Sequence, residues 1–437
     1  GIFVPLLVAA VPIALGTRVT VRQALDRHGA APPAPGRAWL STSARAGWLG
    51  RDLLLASRNV FRRRIRLGLT LALLATGGAV FLTALNTSRG WESIVHRVYE
   101  TRSYDLEVRL NAPATVAERL RLIPGVRTVE AWGYSRSAFS RSGEVDVVRT
   151  YPDGSHGSLA LMGPPADTAL VHLPLIAGRW LVPGDTDAVV LNHGALRQTP
   201  ATRVGDQVTL SLDGRPTVWR VVGIVEEVGA AGVAYVTDGA FAQAAGSTGR
   251  VRMLRIDTDA ESDSERANLI HAVEDLLARE HTHVEALIPL SILRTAMGDH
   301  VIVLIRLLLA MAMLLLIVGL LGLASTMSTN VIERTREIGV MKTLGATPRQ
   351  IARLVLAEGL LIAGMSWLLA VALAVPLSVL VGRTVGLLSF GIRLPLQAHW
   401  GGVAIWLGLV VLVTLLATLL PARRASKLTV SRALAQL

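Results

Sequence analysis

The stretch NVIERTREIGVMKTLGATPRQIARLVLAEG, residues 330–359, decides how the rest of the chain is read. Ile332, Ile338, Met341 and Leu344 recur at helical spacing and give an apolar side, while Glu333, Arg334, Arg336, Glu337 and Lys342 give a charged one. Gly345 stops the helix, since glycine readily takes the left-handed conformation found just past helix ends. Thr347 and Gln350 form a T-x-x-Q capping box, with Pro348 at the first helical position. The stretch therefore predicts a short amphipathic helix, a tight corner and a second helix. Spacing alone is compatible with an ordinary surface helix and with one that docks on a partner.

The second helix leads straight into an apolar run, Leu354–Gly382. Three more runs have similar length, at Leu67–Asn86, Val301–Ala324 and Trp400–Pro421. A bilayer needs about 20 residues of helix, so each is read as a membrane span. Apolar residues make up 51% of the 437, charged residues only 17%, and mean hydropathy is +0.48. That balance excludes one soluble globule of this length. With no cysteine, disulfides and thiol chemistry are excluded as well.

The net charge of +12 is unevenly placed. Residues 87–300 hold 21 basic and 27 acidic residues, leaving 23 basic and 5 acidic elsewhere. The excess lies beside the apolar runs, which argues for membrane topology and against nucleic acid. Residues 17–66 carry eleven arginines against two acids, and 325–353 and 422–437 are also basic, so these three are assigned to the cytoplasm. Residues 87–300 and 383–399 then lie outside. Within 17–66, residues 29–50 read as a linker. Leu53, Leu54, Ala56, Val60, Phe61 and Ile65 suit a helix lying on the inner membrane face. Two charges fall inside spans. Arg306 is expected to reach the outer headgroups, and Glu358 to sit as a plain interfacial acid on the inner side.

The ends of the chain carry a repeat. VTVRQALDRH (19–28) and LTVSRALAQL (428–437) each follow an apolar run and a lone proline, Pro12 and Pro421. Residues 1–16 thus read as the end of a preceding span that closes an earlier copy. The first residue is Gly1, and the sequence is expected to begin inside a longer protein.

The external segment alternates strand and helix signals. Residues 104–110, 115–126 and 128–140 read strand, helix, strand, and 251–258, 262–280 and 282–290 repeat the order. Two such units imply a split, ferredoxin-like α+β half. Between them GDTDAVVLN, VGDQVTLSLDGRPTVWRVVGIVEE and AYVTD imply a small β-rich subdomain. Trp91, Ile94, Val95 and Val98, then Leu293, Ala296, Met297 and His300, keep helical spacing at the segment's two edges. Both neighbouring spans are expected to run on outward as paired stalks. The alternative is a separate helix after a break near Gly90 or Gly298.

Catalytic motifs are missing. There is no Gly-Lys pair, hence no Walker A phosphate loop, no G-x-S-x-G and no H-E-x-x-H. His281 and His283, flanked by Glu280 and Glu285, read better as the polar start of a strand than as a metal pair. The Gly-Asp pairs at 184–185 and 205–206 read as turns rather than calcium ligands.

ERTREIGVMKTLGATPRQI resembles the cytoplasmic loop of the FtsX-like, MacB-type permeases of ABC transporters. AGRWL, AVVLN, VGDQVTL and VVGIVEE resemble their extracytoplasmic domain, and LLLASRNVFRRRIRLGLTLALL the part leading into their membrane region. The resemblance implies a multi-pass α-helical protein of the cell membrane with a large extracytoplasmic α+β domain. It implies an ABC ATPase dimer as partner, met by Glu333–Ala346 as coupling helix, with ATP and magnesium on that partner and no cofactor in this chain. The coupling residues are then Glu333, Arg334, Arg336, Glu337, Ile338, Lys342, Leu344, Gly345 and Ala346, with Glu333, Arg336 and Glu337 setting register and Ile338 and Leu344 anchoring. The resemblance further implies mechanotransmission, export or extraction of lipoproteins, peptides or lipophilic compounds, and a first permease unit in the same polypeptide. An external protein partner or substrate is expected beyond the bilayer. The alternative is a regulator that passes force to a cell-wall hydrolase. A secondary transporter is disfavoured, because the spans lack intramembrane polar sites.

Overall fold

The computed structural model describes residues 51–61, 64–140 and 158–427. The repeat at 19–28 and 428–437, the preceding span at 1–16 and the linker at 29–50 lie outside the described residues. So do the side chains of Leu293, Ala296, Met297 and His300.

After a short helix α1 (Arg51–Val60), the long helix α2 (Arg64–Glu100) leads into the sheet domain. The chain returns through α7 (Leu290–Glu333), turns at α8 (Thr335–Thr343), and crosses back twice in α9 (Pro348–Phe390) and α10 (Trp400–Lys427). Helices α2, α7, α9 and α10 are each long and apolar enough to cross a membrane. The 37 residues of α2 and 44 of α7 span about 55 and 66 Å at 1.5 Å per residue, well beyond a hydrocarbon core of about 30 Å. Both run unbroken through Gly90 and Gly298, so no separate helix starts there.

Helix α2 is the hub. Small residues let its neighbours approach closely, as membrane helices require when burial from water supplies no drive. Gly78 lies beneath Trp406 of α10 and Ala370 of α9, and Gly77 faces Ala312 and Leu315 of α7. Trp406 is fully buried and stacks on Phe81, with ring centroids 5.1 Å apart. Helix α7, by contrast, leaves Val303, Leu307, Leu314, Leu321 and Arg306 exposed. At the outer end Asn86 Nδ2 donates to Ser378 Oγ at 3.0 Å, and its Oδ1 accepts from the His399 amide at 2.9 Å.

The sheet domain holds strands β1 (Leu106–Pro113), β2 (Val126–Ala138), β3 (Ser158–Gly163), β4 (Leu175–Gly178), β5 (Ala188–Asn192), β6 (Gln207–Leu212), β7 (Arg215–Val225), β8 (Val233–Tyr235), β9 (Arg250–Thr258) and β10 (Val284–Pro289). They form one sheet in the order β10-β1-β9-β2-β3-β8-β5-β7-β4, with β6 paired to β7. Along β10-β1-β9-β2 each strand is antiparallel to its neighbour. Helices α3 (Thr115–Leu120) and α6 (Asp263–Arg279) connect β1 to β2 and β9 to β10, which is the split β-α-β pattern expected. Val108, Leu110, Val116, Leu120, Leu254, Ile256, Val273 and Leu277 fill the space between that sheet and its helices.

One expectation is corrected and two features are added. The helix expected over 115–126 stops at Leu120, because Pro124 and Gly125 (φ +90°) turn the chain into β2. The β-rich part is continuous with the ferredoxin-like half, since the 13-residue β2 pairs with β9 and then, farther along, with β3. Helices α4 (His193–Leu196) and α5 (Asp238–Ala245) inside that part carried no periodicity to read. The Asp213-Gly214 turn takes left-handed dihedrals (φ 51° and 77°) and joins β6 to β7 as a tight hairpin.

Candidate functional site

The corner predicted from residues 330–359 lies at the end of the helix bundle opposite the sheet domain. Arg334 (φ −107°, ψ 13°) is the residue between α7 and α8 that leaves helical geometry. Past α8, Gly345 (φ +97°) makes the turn, with the Ala346 amide donating to the Met341 carbonyl at 2.9 Å. The capping box then starts α9. Thr347 Oγ1 accepts from the Gln350 amide at 3.3 Å, and Gln350 Oε1 accepts from the Thr347 amide at 2.8 Å.

The expected apolar side splits in two. Ile338 is 4% exposed and packs with Val331, Ile351, Val355, Ala422 and Ala425, with Met341 against the same cluster. It lies in the core of the corner and not on its exposed side. Leu344 is 83% exposed, and Ile332 and Val340 are exposed too. The break at Arg334 rotates Ile332 off the face of α8 and leaves it on the end of α7. Val340, missed in the sequence reading, lies one turn from Leu344 and from Arg336, so the three share a stripe. Exposed Glu333, Arg336, Glu337 and Gly345 rim this patch, and Ala346 is half-buried. Lys342 turns inward, where Nζ donates to the Ser426 carbonyl at 2.8 Å in the last turn of α10. Helix C-termini carry unpaired carbonyls and partial negative charge, so a lysine there is favourable.

Glu358 is not a bare interfacial acid. Its side chain is 4% exposed, and Oε1 accepts from Arg334 Nη1 at 2.6 Å and from Asn59 Nδ2 at 2.7 Å. Arg334 Nε also donates to Glu337 Oε2 at 2.8 Å. Nearby, Arg66 lies 3.6 Å from Glu333 and donates to Asn330 Oδ1 at 3.4 Å. Asn59, Arg66, Asn330, Glu333, Arg334 and Glu358 line a cavity of about 80 Å³ between α1, α2, α7 and α9.

At the other end of α2, Trp91, Ile94 and Val98 pack with Val228 of the sheet domain, Val301 of α7 and Ile392 of the loop after α9. Just past the helix, Arg102 Nη2 donates to Glu227 Oε1 and to the Val228 carbonyl, both at 3.3 Å, and both charged side chains are 5% exposed. Asn192 Nδ2 donates to the other Glu227 oxygen at 3.1 Å. The β-rich part is thus ionically joined to the stalk, while the ferredoxin-like half is joined covalently through both long helices. His281 (φ 54°) lies in the turn before β10, ahead of the strand proper. Among the described residues no group of three His, Asp or Glu side chains is placed to hold a metal.

Residues 309–430 match the FtsX-like permease C-terminal domain family. The macrolide export ATP-binding/permease protein MacB of Bdellovibrio bacteriovorus is 26% identical over 226 residues, covering 48% of this chain and 33% of that protein. The chain therefore spans about a third of the length of the curated relative it matches. Among solved structures, the periplasmic region of MacB from Actinobacillus actinomycetemcomitans aligns at 15% identity with a TM-score of 0.31, covering 46% of this chain and 95% of that one. The extracellular domain of the noncanonic ABC-type transporter YknZ from Gram-positive bacteria aligns at 16% identity with a TM-score of 0.29, covering 43% and 98%.

Proposed function

We propose that this chain is an FtsX/MacB-type ABC transporter permease, a reading supported by the match at residues 309–430 and by the MacB relative, and that it turns ATP hydrolysis by a separate ATPase dimer into movement of its sheet domain outside the cell membrane. The observation that supports this reading most is the continuity of α2 and α7. Each runs without a break from the level of the α8 corner into the packing beneath the sheet domain. ATP binding can bias only an element whose states differ in their contacts, and a stiff helix pair carries such a bias without a substrate path through the bilayer.

In this reading the exposed patch of Val340 and Leu344 at the end of α8 meets the ATPase on the cytoplasmic side, and Glu333, Arg336 and Glu337 set register. ATP and magnesium are held by that partner. A first permease unit, preceding this one in the same polypeptide, completes the membrane part. The cargo class is lipoproteins, peptides or lipophilic compounds, moved by export or extraction.

Leu344→Asp tests the docking patch. The side chain is 83% exposed in the free chain, so the substitution leaves the bundle intact. Placing a charge at the centre of an apolar contact costs about 2 kcal/mol or more of docking free energy. Stimulation of the ATPase by the permease is expected to disappear while membrane insertion is unchanged. Wild-type stimulation by the variant contradicts the reading.

A further inference from the structure

Glu358 has no place in the exposed patch, yet it is the carboxylate toward which the corner is organised. A single residue with non-helical dihedrals, left to itself, is a joint about which α8 could swing on the end of α7. Arg334 is that residue. Its guanidinium is held along two edges, by Glu337 of α8 through Nε and by Glu358 of α9 through Nη1. A planar guanidinium fixed at two edges transmits orientation as well as position. Asn59 of α1 donates to the same Glu358 oxygen and covers it. At the far end of α8 the Lys342 bond to the Ser426 carbonyl ties the helix to α10, and Ile338 sits between the two attachments in a core shared with α9 and α10.

We propose that Glu358 is a positioning residue. By pinning Arg334 it makes α8 one rigid body with α9 and α10, so that a push on α8 moves those helices instead of being absorbed at the α7–α8 joint. The outer end of α9 leads to Gly391, where an added Cβ would come within 3.2 Å of His193 in the sheet domain. The pin thus opens a second mechanical route to that domain, beside α2 and α7. The proposal rests on reading α8 as the helix that the ATPase contacts.

The chain contains no cysteine, so pairs of introduced cysteines can carry spin labels without background. Val340→Cys on α8 and Arg423→Cys on α10 are both exposed positions and report where α8 sits. Leu122→Cys and Val218→Cys, exposed in the sheet domain, form the control pair. In the full chain in lipid nanodiscs, with no ATPase present, the first pair is expected to give one narrow distance. Glu358→Gln is expected to lose it, giving a broad distribution, with the control pair unchanged. Should Glu358→Gln leave Arg334 too poorly compensated to fold, the double variant Arg334→Gln/Glu358→Gln removes both charges together and is expected to give the same broadening. A narrow wild-type distance in either variant overturns the pin. So does broadening of the control pair in both, which makes Glu358 a general folding residue. Because no ATPase enters this measurement, its failure is distinct from failure of the docking patch, which the Leu344→Asp stimulation assay reads.

Discussion

A chain carrying Gly78→Leu is expected to enter the bilayer but to fail to close its helix bundle. A Cβ built at Gly78 would lie 2.2 Å from Trp406 Nε1 and 2.6 Å from Ala370 Cβ. Neither neighbour can yield cheaply. Ala370 is itself at the helix surface and has nothing to rotate, and Trp406 is fully buried and stacked on Phe81. Accommodating leucine requires α2, α9 and α10 to separate, which forfeits the close packing that holds membrane helices together. Overpacking of a core commonly costs about 1–3 kcal/mol, and a site where three helices meet belongs at or beyond the top of that range. The check is the yield of monodisperse protein in detergent and its thermal midpoint. Gly68→Leu is the control. It lies on the same helix with nothing within 4 Å of the added Cβ, and it is expected to behave as wild type.

Arg255→Met is expected to destabilise the sheet domain by about 3–5 kcal/mol, the usual consequence of removing one partner of a buried ion pair. Arg255 is 3% exposed. Its guanidinium lies 3.9 Å from the Trp132 ring centroid and 4.5 Å from that of Tyr104, and Nη2 donates to Glu107 Oε2 at 3.1 Å. Removing it costs the cation–π contacts and strands the buried carboxylate with Arg109 alone. At about 2–4 °C per kcal/mol for a domain of this size, the midpoint should fall by about 10 °C.

The pH dependence gives a second readout with a definite sign. Burial pushes the Glu107 carboxyl up, but Arg255 and then Arg109 outweigh it and hold the group below its ordinary value. A carboxyl depressed in the folded state contributes stability above the ordinary carboxylate range, and that contribution is lost as pH falls through the depressed value. The wild-type domain should therefore weaken in acid from this group. In Arg255→Met only Arg109 still opposes burial, so the carboxyl moves up from its wild-type position. Protonating Glu107 then relieves the defect, and the gap between variant and wild type should narrow as pH falls. Calorimetry or tryptophan emission across pH reads both trends, and a gap that stays constant with pH contradicts the assignment.

How far the sequence could be read follows from the range of the interactions. The four membrane helices were legible because an unbroken run of about 20 apolar residues matches the thickness of a bilayer and little else, and the two β-α-β units because each is a local pattern. The joining of the β-rich part to the ferredoxin-like half was not, because it depends on β2 changing partner from β9 to β3 along its own length. Strand β4 escaped for another reason. All four of its residues are exposed, so its composition shows no inward and outward faces. At the corner, the cap at Thr347 and the turn at Gly345 were local and legible. The inward turn of Ile338 and the outward placement of Leu344 depend on the break at Arg334. That break is fastened by Glu358, 24 residues on, and covered by Asn59, 299 residues from Glu358. No periodicity within residues 330–359 carries that information. The exposed Val340 was recoverable in principle, since it stands four residues from both Arg336 and Leu344.

The measurement that tests the account most directly follows the sheet domain while ATP is turned over. Spin labels at Leu122→Cys in the sheet domain and Leu388→Cys at the outer end of α9, both exposed, report its position relative to the bundle. With the partner ATPase bound, adding ATP is predicted to shift that distance, and Leu344→Asp is predicted to abolish the shift. A distance that stays fixed while the chain still stimulates ATP hydrolysis would contradict the claim that nucleotide energy leaves the membrane as movement of this domain.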